Sequence, residues 1–207
     1  MEMSSRRTER PVLRRWRDAD VAPFAAINAD PTAMRFMPGV ITLGETRALI
    51  ARFEEHHRVH GFGVMALETP GIAPFIGFVG LQRVGFEAPF VPAVEIGWRL
   101  APAFWGKGYA TEGAKAALRF GFEDLNLDQI VSFTVPANKA SWAVMERIGM
   151  VRDAGGDFDH PRLPEGHPLR RHILYRKRRE AYATSVSAVA RSWRSTMRAF
   201  LPVRPLR

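Results

Sequence analysis

The residues with the clearest chemical meaning form a glycine-rich turn over 105–112, Trp-Gly-Lys-Gly-Tyr-Ala-Thr-Glu. Glycines lack a Cβ atom, so several backbone N–H groups can turn toward one point. The N-terminus of a following helix adds partial positive charge, and the Lys107 ammonium adds more. The turn therefore predicts a cradle for a pyrophosphate group. The alternative is a tight turn that holds no ligand.

Two well-known phosphate loops do not fit this turn. A P-loop needs Lys followed by Ser or Thr after four spacer residues, and a dinucleotide fingerprint needs a third glycine and an acidic residue about 20 positions further on. Thr111 stands at the place of the third glycine, and the strand predicted over 129–135 supplies no acidic residue. The pattern therefore disfavours both an NTPase and a Rossmann-type enzyme.

Thiol and metal chemistry are not indicated. The chain has no cysteine, which excludes disulfides, zinc–thiolate sites and a thiol nucleophile on the protein. His160, His167 and His172, together with Asp157 and Asp159, match no compact ligand motif. Three prolines in the same segment favour a rigid loop on the substrate side, so we predict no metal site.

The predicted elements indicate the fold class. A strand over 12–17 and a short helix precede a longer helix over 43–60, which begins at the capping-box pattern Thr42-x-x-Glu45 and ends at Gly61. Runs rich in Val, Ile, Phe and Gly then predict an antiparallel meander at 62–68, 75–84 and 93–100.

The region 93–135 reads as strand, turn, helix and strand, which is a βαβ unit with parallel strands and a right-handed crossover. A helix over 140–148, a loop over 152–168 and a strand over 172–177 follow. The expected fold is therefore α/β (α+β): a mixed, mostly antiparallel twisted sheet with one central parallel pair, flanked by helices.

The turn from Trp105 to Ala110 resembles the Q/R-x-x-G-x-G/A acetyl-CoA loop of the GNAT acetyltransferases, in the branch related to ribosomal-protein N-terminal (alanine/serine) acetyltransferases. Further matching segments lie at 94–98, 138–141, 145–150 and 172–176. The resemblance spans about 11–178. Trp105 stands where the family pattern has Gln or Arg, so backbone N–H groups, helped by Lys107, would have to hold the phosphates.

The resemblance implies that an amine attacks the thioester of acetyl-CoA, a reaction that needs a base, a proton donor and N–H groups for the developing oxyanion. Glu95 is the expected base, because its strand is otherwise largely apolar and such surroundings raise a carboxylate's proton affinity. Ser141 is the expected acid, and Asn138 is expected on the pantetheine arm. The alternatives are a polar-face Glu and simple helix caps. Without cysteine, direct transfer in a ternary complex is the economical mechanism.

The same resemblance assigns the acetyl-CoA contacts to two segments and the start of a helix. The backbone around 98–100 would face the thioester, provided that the parallel strands splay there. The expected contact residues are Trp98, Arg99, Leu100, Trp105, Gly106, Lys107, Gly108, Tyr109, Ala110, Asn138 and Ser141.

The acceptor remains open between a protein N-terminus and a small-molecule amine. One alternative is a small-molecule acetyltransferase of the aminoglycoside type. Another is a non-catalytic module that binds CoA or binds RNA and the ribosome.

The net charge of +9 lies at the ends of the chain: residues 1–17 carry +4, residues 176–207 carry +8 and the body carries −3. We divide the chain into a flexible leader (1–10), the acetyltransferase domain (11–178) and a basic amphipathic helix (179–207). That helix could dock on the domain itself, on a second protomer, on an anionic membrane, or on RNA or a ribosomal surface. No secretory signal or bilayer-spanning run is present in the sequence, so we expect a cytoplasmic protein.

Overall fold

The computed structural model describes residues 5–184, and its centre is one twisted sheet. Within that part of the chain the sheet has eight strands in the order β1-β2-β3-β4-β5-β6-β8-β7. The strands are β1 (Ser5–Arg7), β2 (Val12–Arg14), β3 (Val64–Thr69), β4 (Ala73–Arg83), β5 (Val94–Leu100), β6 (Gln129–Thr134), β7 (Val151–Asp159) and β8 (Arg171–Arg178). Among these strands only β5 and β6 run parallel. The predicted mixed sheet with its central parallel pair is confirmed.

The helices of the domain flank this sheet. They are α1 (Val21–Ala29), α2 (Pro31–Met34), α3 (Leu43–His60), α4 (Tyr109–Arg119) and α5 (Lys139–Arg147). The predicted capping box starts α3, since Thr42 accepts from the Glu45 N–H at 3.2 Å and the Glu45 carboxylate accepts from the Thr42 N–H at 2.7 Å. Gly61 ends α3 in the left-handed region, with φ of 74°.

The two faces of the sheet contribute to different cores, because successive side chains of a strand point to opposite faces. In β3, Met65 and Leu67 join a core with α4 and α5, whereas Val64 and Ala66 join a second core with α1 and α3. The second core is rich in aromatic side chains, namely Trp16, Phe24, Phe53, Phe75 and Phe78. Each face of the sheet is therefore covered by its own pair of helices.

The prediction of a loop over 152–168 is wrong for the first half of that range, where β7 pairs with β8. The register of this pair shifts between Asp153 and Phe158, a stretch that contains two glycines. A Cβ atom on Gly156 would lie 2.5 Å from the Leu174 Cδ2 atom, so this glycine allows close packing within the sheet. The sequence signal that suggested a loop thus marks an irregular strand, and only residues 160–170 form the connection.

Both ends of the described chain contact the domain. The sequence placed residues 1–10 in a flexible leader, but Ser5–Arg7 pairs with β2, and Arg6 forms an ion pair with Asp124 at 2.6 Å. Residues 179–184 are helical, and the Tyr182 hydroxyl donates to the Glu123 carboxylate at 2.6 Å. The rest of the predicted amphipathic helix lies outside the described residues. Of the helices that are described, none is long and apolar enough to cross a membrane.

Candidate active site

The strand β5 carries different side chains on its two faces. Ile96 and Leu100 are buried in the core with α4 and α5. Glu95, Gly97 and Arg99 alternate with them and share the opposite face. Two ionisable side chains and a glycine therefore lie on the face of the sheet opposite to α4 and α5, where a strand would normally bury apolar residues.

The parallel pairing of β5 with β6 is short. Its register contains one pair, Glu95 with Val131, and the Ser132 hydroxyl donates to the Ile96 carbonyl at 2.9 Å. The following β5 residues, 98–100, have no register partner in β6 as the structure describes it. The strands therefore splay at the place where the predicted thioester site needs a gap.

The glycine-rich turn leads from β5 into α4. Gly106 and Gly108 have φ of 71° and 85°, a region that disfavours other residues. Gly108 is the N-cap of α4, and the Glu112 N–H donates to the Gly108 carbonyl at 3.0 Å. The N–H groups before Glu112 in this helix have no carbonyl one turn earlier to bind, so they are available to an anion.

The side chains of the turn leave this anion site accessible. A Cβ atom on Gly106 would meet no atom within 4 Å, and the Lys107 Nζ atom lies 5.5 Å from the centre of the Phe104 ring. The Trp105 indole N–H donates to the Leu100 carbonyl at 2.7 Å, so Trp105 ties the turn to the end of β5. Backbone N–H groups and one cation therefore fit a pyrophosphate.

The other residues expected at the acetyl-CoA site on this side of the sheet are packing residues. Tyr109 is buried, while Trp98 and Ala110 are half-buried against the core beneath α4. Their side chains position the turn and the strand, so a contact with acetyl-CoA would fall to their backbone atoms. That contact remains a prediction.

The second helix start lies beside the first, because α4 and α5 follow the carboxyl ends of the parallel strands β5 and β6. Asn138 is the N-cap of α5: its Oδ1 atom accepts from the Ser141 N–H at 3.3 Å, and its Nδ2 atom donates to the Thr134 hydroxyl at 3.0 Å. Asn138 therefore has the capping role that was its alternative interpretation. Ser141 is half-buried in the first turn of α5, and its hydroxyl remains the predicted proton donor.

Glu95 is half-buried and has an unusual environment. Gln82 lies opposite it in the β4–β5 register and donates to its carboxylate, and the positive charge of Arg162 acts on the same group. Burial is the larger effect, and it raises the pKa of Glu95 to about 7. This carboxyl group can therefore take up and release a proton near neutral pH.

An aromatic wall borders the Glu95 side of the sheet. Val131, the register partner of Glu95, belongs to a cluster whose aromatic members are Phe86, Phe90, Phe133 and Phe158. The rings of His160 and His172 extend this wall with centroids 5.1 Å apart, and burial lowers the pKa of both. No group of three or more His, Cys, Asp or Glu suited to a metal ion occurs within residues 5–184.

The Arg99 side chain lies on the Glu95 face and not on the α4 face. Its guanidinium donates to the Asn28 Oδ1 atom at 2.6 Å and lies 5.6 Å from the centre of the Phe78 ring. Asn28 is held in turn because its Nδ2 atom donates to the Thr46 hydroxyl at 3.0 Å. Burial lowers the pKa of Arg99 to about 10. Arg99 is one of the residues predicted at the acetyl-CoA site, and its side chain lies elsewhere, so this role would fall to its backbone alone.

Three further side chains act on this face and are not among the residues predicted from the sequence: Gln82, Asn28 and Arg162. Gln82 could have been found from the register of the β4–β5 hairpin, which pairs it with Glu95. Asn28 in α1 and Arg162 in the connection 160–170 come from distant segments with no motif. Only the folded chain brings them to β5.

Comparison with known proteins agrees with this architecture. The family model described as an acetyltransferase (GNAT) domain matches residues 10–151. The uncharacterized protein YkkB of Bacillus subtilis is 32% identical over 144 residues, which cover 69% of this chain and 83% of YkkB. A crystal structure of a GNAT-family acetyltransferase from Bacillus anthracis superposes with a TM-score of 0.71 at 27% identity, covering 85% of this chain and 99% of that one.

The fold is also shared with RimL, a ribosomal L7/L12 α-N-protein acetyltransferase solved in complex with coenzyme A. The TM-score is 0.67 at 18% identity, over 84% of this chain and 97% of that one. A splayed parallel pair with a glycine-rich turn at the next helix, seen together with these matches, defines an acetyl-transferring enzyme. The chain belongs to the GNAT family of acetyltransferases, whose acetyl donor is acetyl-CoA.

Proposed function

We propose that this protein transfers the acetyl group of acetyl-CoA to a primary amine by direct attack in a ternary complex. Glu95 is the proton acceptor and Ser141 the proton donor. The observation that carries the proposal is the position of Glu95: its carboxyl group, with a pKa of about 7, lies on β5 at the residue paired with β6, just before the stretch 98–100 where the parallel strands separate.

The base must serve an amine that arrives as an ammonium ion, which has no lone pair. Glu95 removes one proton from this ion, directly or through a water molecule, and the freed lone pair can then form the C–N bond. A pKa near the working pH keeps the carboxylate basic while leaving much of it ionised, which suits general base catalysis.

The donor site is the N-terminus of α4 with its glycine-rich turn. The backbone N–H groups of 106–110 and the Lys107 ammonium bind the pyrophosphate, and Asn138 lies at the start of α5 beside the pantetheine path. Bound acetyl-CoA supplies the thioester carbonyl that the amine attacks. Ser141 then donates its hydroxyl proton to the sulfur as the C–S bond breaks. The second proton of the amine nitrogen restores the Ser141 hydroxyl, directly or through a water molecule, and the first proton stays on Glu95.

The acceptor is either a peptide N-terminus or a small-molecule amine. The RimL structure supports a peptide N-terminus by fold alone, and an aminoglycoside-type amine remains the second candidate. A homodimer is a further proposal. Contact of the basic extension with a membrane, RNA or a ribosome is another, and the structure describes this extension only to residue 184.

The test uses Glu95→Gln, which keeps the size of the side chain and its hydrogen-bonding capacity but not its basicity. Because a positioned general base contributes roughly 10²- to 10⁴-fold, kcat/KM should fall by about that factor. Release of the CoA thiol with a panel of peptides and amines measures the rate, and calorimetry measures acetyl-CoA binding. The matched control is Glu87→Gln, an exposed carboxylate in the β4–β5 connection, which should retain the wild-type rate.

A Glu95→Gln variant with wild-type turnover would remove Glu95 from the mechanism. Failure of the wild-type protein to bind acetyl-CoA would remove the donor site as well. If Glu95→Gln loses turnover but still binds acetyl-CoA, the defect lies in the proton transfer and not in folding or donor binding.

A further inference from the structure

The Glu95 face of β5 contains a cation without a carboxylate partner among the described residues. Arg99 has one hydrogen-bond acceptor there, the neutral amide oxygen of Asn28, and the Phe78 ring beneath it. A buried charge without an opposite charge is costly, and proteins normally pair it. Asn28 cannot turn away easily, since Thr46 holds its other end. The guanidinium therefore retains free donors for an anion.

Open space separates this cation from Glu95. Gly97 lies between the two on the same face, and a Cβ atom built on it would meet nothing within 4 Å. The sheet is thus uncovered above Gly97, with a carboxyl group at one end of the gap and a guanidinium at the other. A bound molecule can occupy this space with its amine toward Glu95.

We propose that Arg99 binds a carboxylate of the acceptor, so that the preferred substrate is an amine that carries an anionic group. This inference rests on the proposed function, because it assumes that Glu95 marks the position of the reacting amine. Guanidinium and carboxylate groups form charge-assisted, often bidentate hydrogen bonds, which also orient the acceptor. Arg99 is accordingly a specificity-determining residue and takes no part in proton transfer.

The spacing limits which acceptors fit. The Cα atoms of residues 95 and 99 lie four residues apart along a strand, which is roughly 13 Å. A hydrogen bond of about 3 Å at each end then leaves roughly 7 Å between the amine and the carboxylate of the acceptor. An ω-amino acid of intermediate length meets this condition. So does a peptide whose second residue is acidic.

Arg162 is the other cation near Glu95, and its contacts make it the weaker candidate. Its Nη2 atom donates to the Gly85 carbonyl at 2.5 Å, and its guanidinium lies 5.8 Å from the centre of the Phe86 ring. These contacts hold it on the connection before β5, outside the gap above Gly97.

The test compares acceptors that differ only in the anionic group. One pair is 5-aminovalerate and its neutral amide; the other is the amidated dipeptide Ala-Glu and its neutral counterpart Ala-Gln. Because a hydrogen-bonded charge pair strengthens binding, the wild-type protein should favour the anionic member of at least one pair by roughly 10- to 100-fold in kcat/KM, mainly through KM. The pair that shows the preference indicates whether the natural acceptor is a free amino acid or an acidic peptide.

The variants assign the preference to a residue. Arg99→Gln retains a donor for Asn28 but removes the charge, so the ratio within the pair should fall toward one, whereas Arg99→Lys should restore part of it. Arg47→Gln, an exposed arginine next to Thr46 in α3, should keep the wild-type ratio. Thermal midpoints and acetyl-CoA binding confirm that each variant is folded.

Equal rates for both members of each pair in the wild-type protein would overturn the role of Arg99 and leave the amine acetyltransferase proposal intact. A preference that survives Arg99→Gln but disappears in Arg162→Gln would overturn it too. Acetylation of neither member of either pair, together with no turnover of the wider amine panel, would instead overturn the proposed function and this inference with it.

Discussion

The substitution Gln82→Leu tests how the structure sets the pKa of Glu95. Gln82 donates to the Glu95 carboxylate and so favours its ionised form, against the effect of burial. A hydrogen bond to a charged group is worth about 1.5–3 kcal/mol, and 1.36 kcal/mol corresponds to one pKa unit. Because both side chains are partly exposed to water, the low end of that range applies. The variant should therefore raise the pKa of Glu95 from about 7 to about 8.

The assay is kcat/KM against pH, expressed as the ratio of variant to wild type for the same acceptor. This ratio cancels the ionisation of the amine itself. Only ionised Glu95 acts as a base, so a shift of one unit predicts a ratio of about 0.1 at pH 6, about 0.2 at pH 7 and about 0.9 at pH 9. Gln82→Glu places a like charge beside Glu95 and should move the profile further in the alkaline direction.

Arg83→Gln is the control, since its exposed side chain is on the next residue of β4. Its ratio should stay near one at every pH. If the Gln82→Leu ratio is constant across the pH range, Gln82 affects folding or binding and not the ionisation of Glu95. A ratio that falls toward high pH would contradict the assignment of Glu95 as the group whose deprotonation activates the enzyme.

Two further outcomes follow from the same geometry. Since the pKa of Glu95 is raised in the folded protein, ionisation of Glu95 lowers the free energy of unfolding. This loss is absent below about pH 4, grows as the pH rises and is complete above about pH 7. Urea unfolding should therefore find Glu95→Gln more stable than wild type by about 1–3 kcal/mol at pH 8 and equal at pH 4; no gain at pH 8 would contradict the burial of the charge. Gly108→Ala should cost about 1 kcal/mol of stability and weaken acetyl-CoA binding in calorimetry, because φ is 85° and the new Cβ atom would lie 3.0 Å from the Arg10 Nη2 atom. In Gly44→Ala, the exposed control in α3, donor affinity should not change.

The elements on which the site is built could be predicted from the sequence, since each has a local signal. The capping box at Thr42 places α3, and the βαβ pattern over 93–135 places the glycine-rich turn between a parallel strand and a helix. Glu95 could be chosen because it interrupts an apolar strand. In contrast, the irregular β7 has glycines that imitate a loop, and its strand character comes from pairing with β8.

The direction of side chains on β5 needed the folded structure. The period of two puts Glu95 and Arg99 on one face, but it does not say which face meets α1 and which meets α4. The face on which Arg99 lies decides whether its side chain can contact acetyl-CoA or the acceptor amine. The contact with Asn28, 71 residues away in sequence, settles the direction of the guanidinium, and no local pattern encodes it.

The environment of Glu95 combines opposing effects, and the combination is what makes it useful. Burial alone would raise its pKa further and leave little carboxylate ionised at neutral pH. Gln82 and Arg162 both act in the lowering direction, and the balance falls at about 7. A fully exposed glutamate would be ionised but too weak a base, since proton transfer is most effective when the pKa lies near the working pH. The free energy that the fold loses by burying this carboxylate is therefore the same quantity that makes it basic enough to activate an amine.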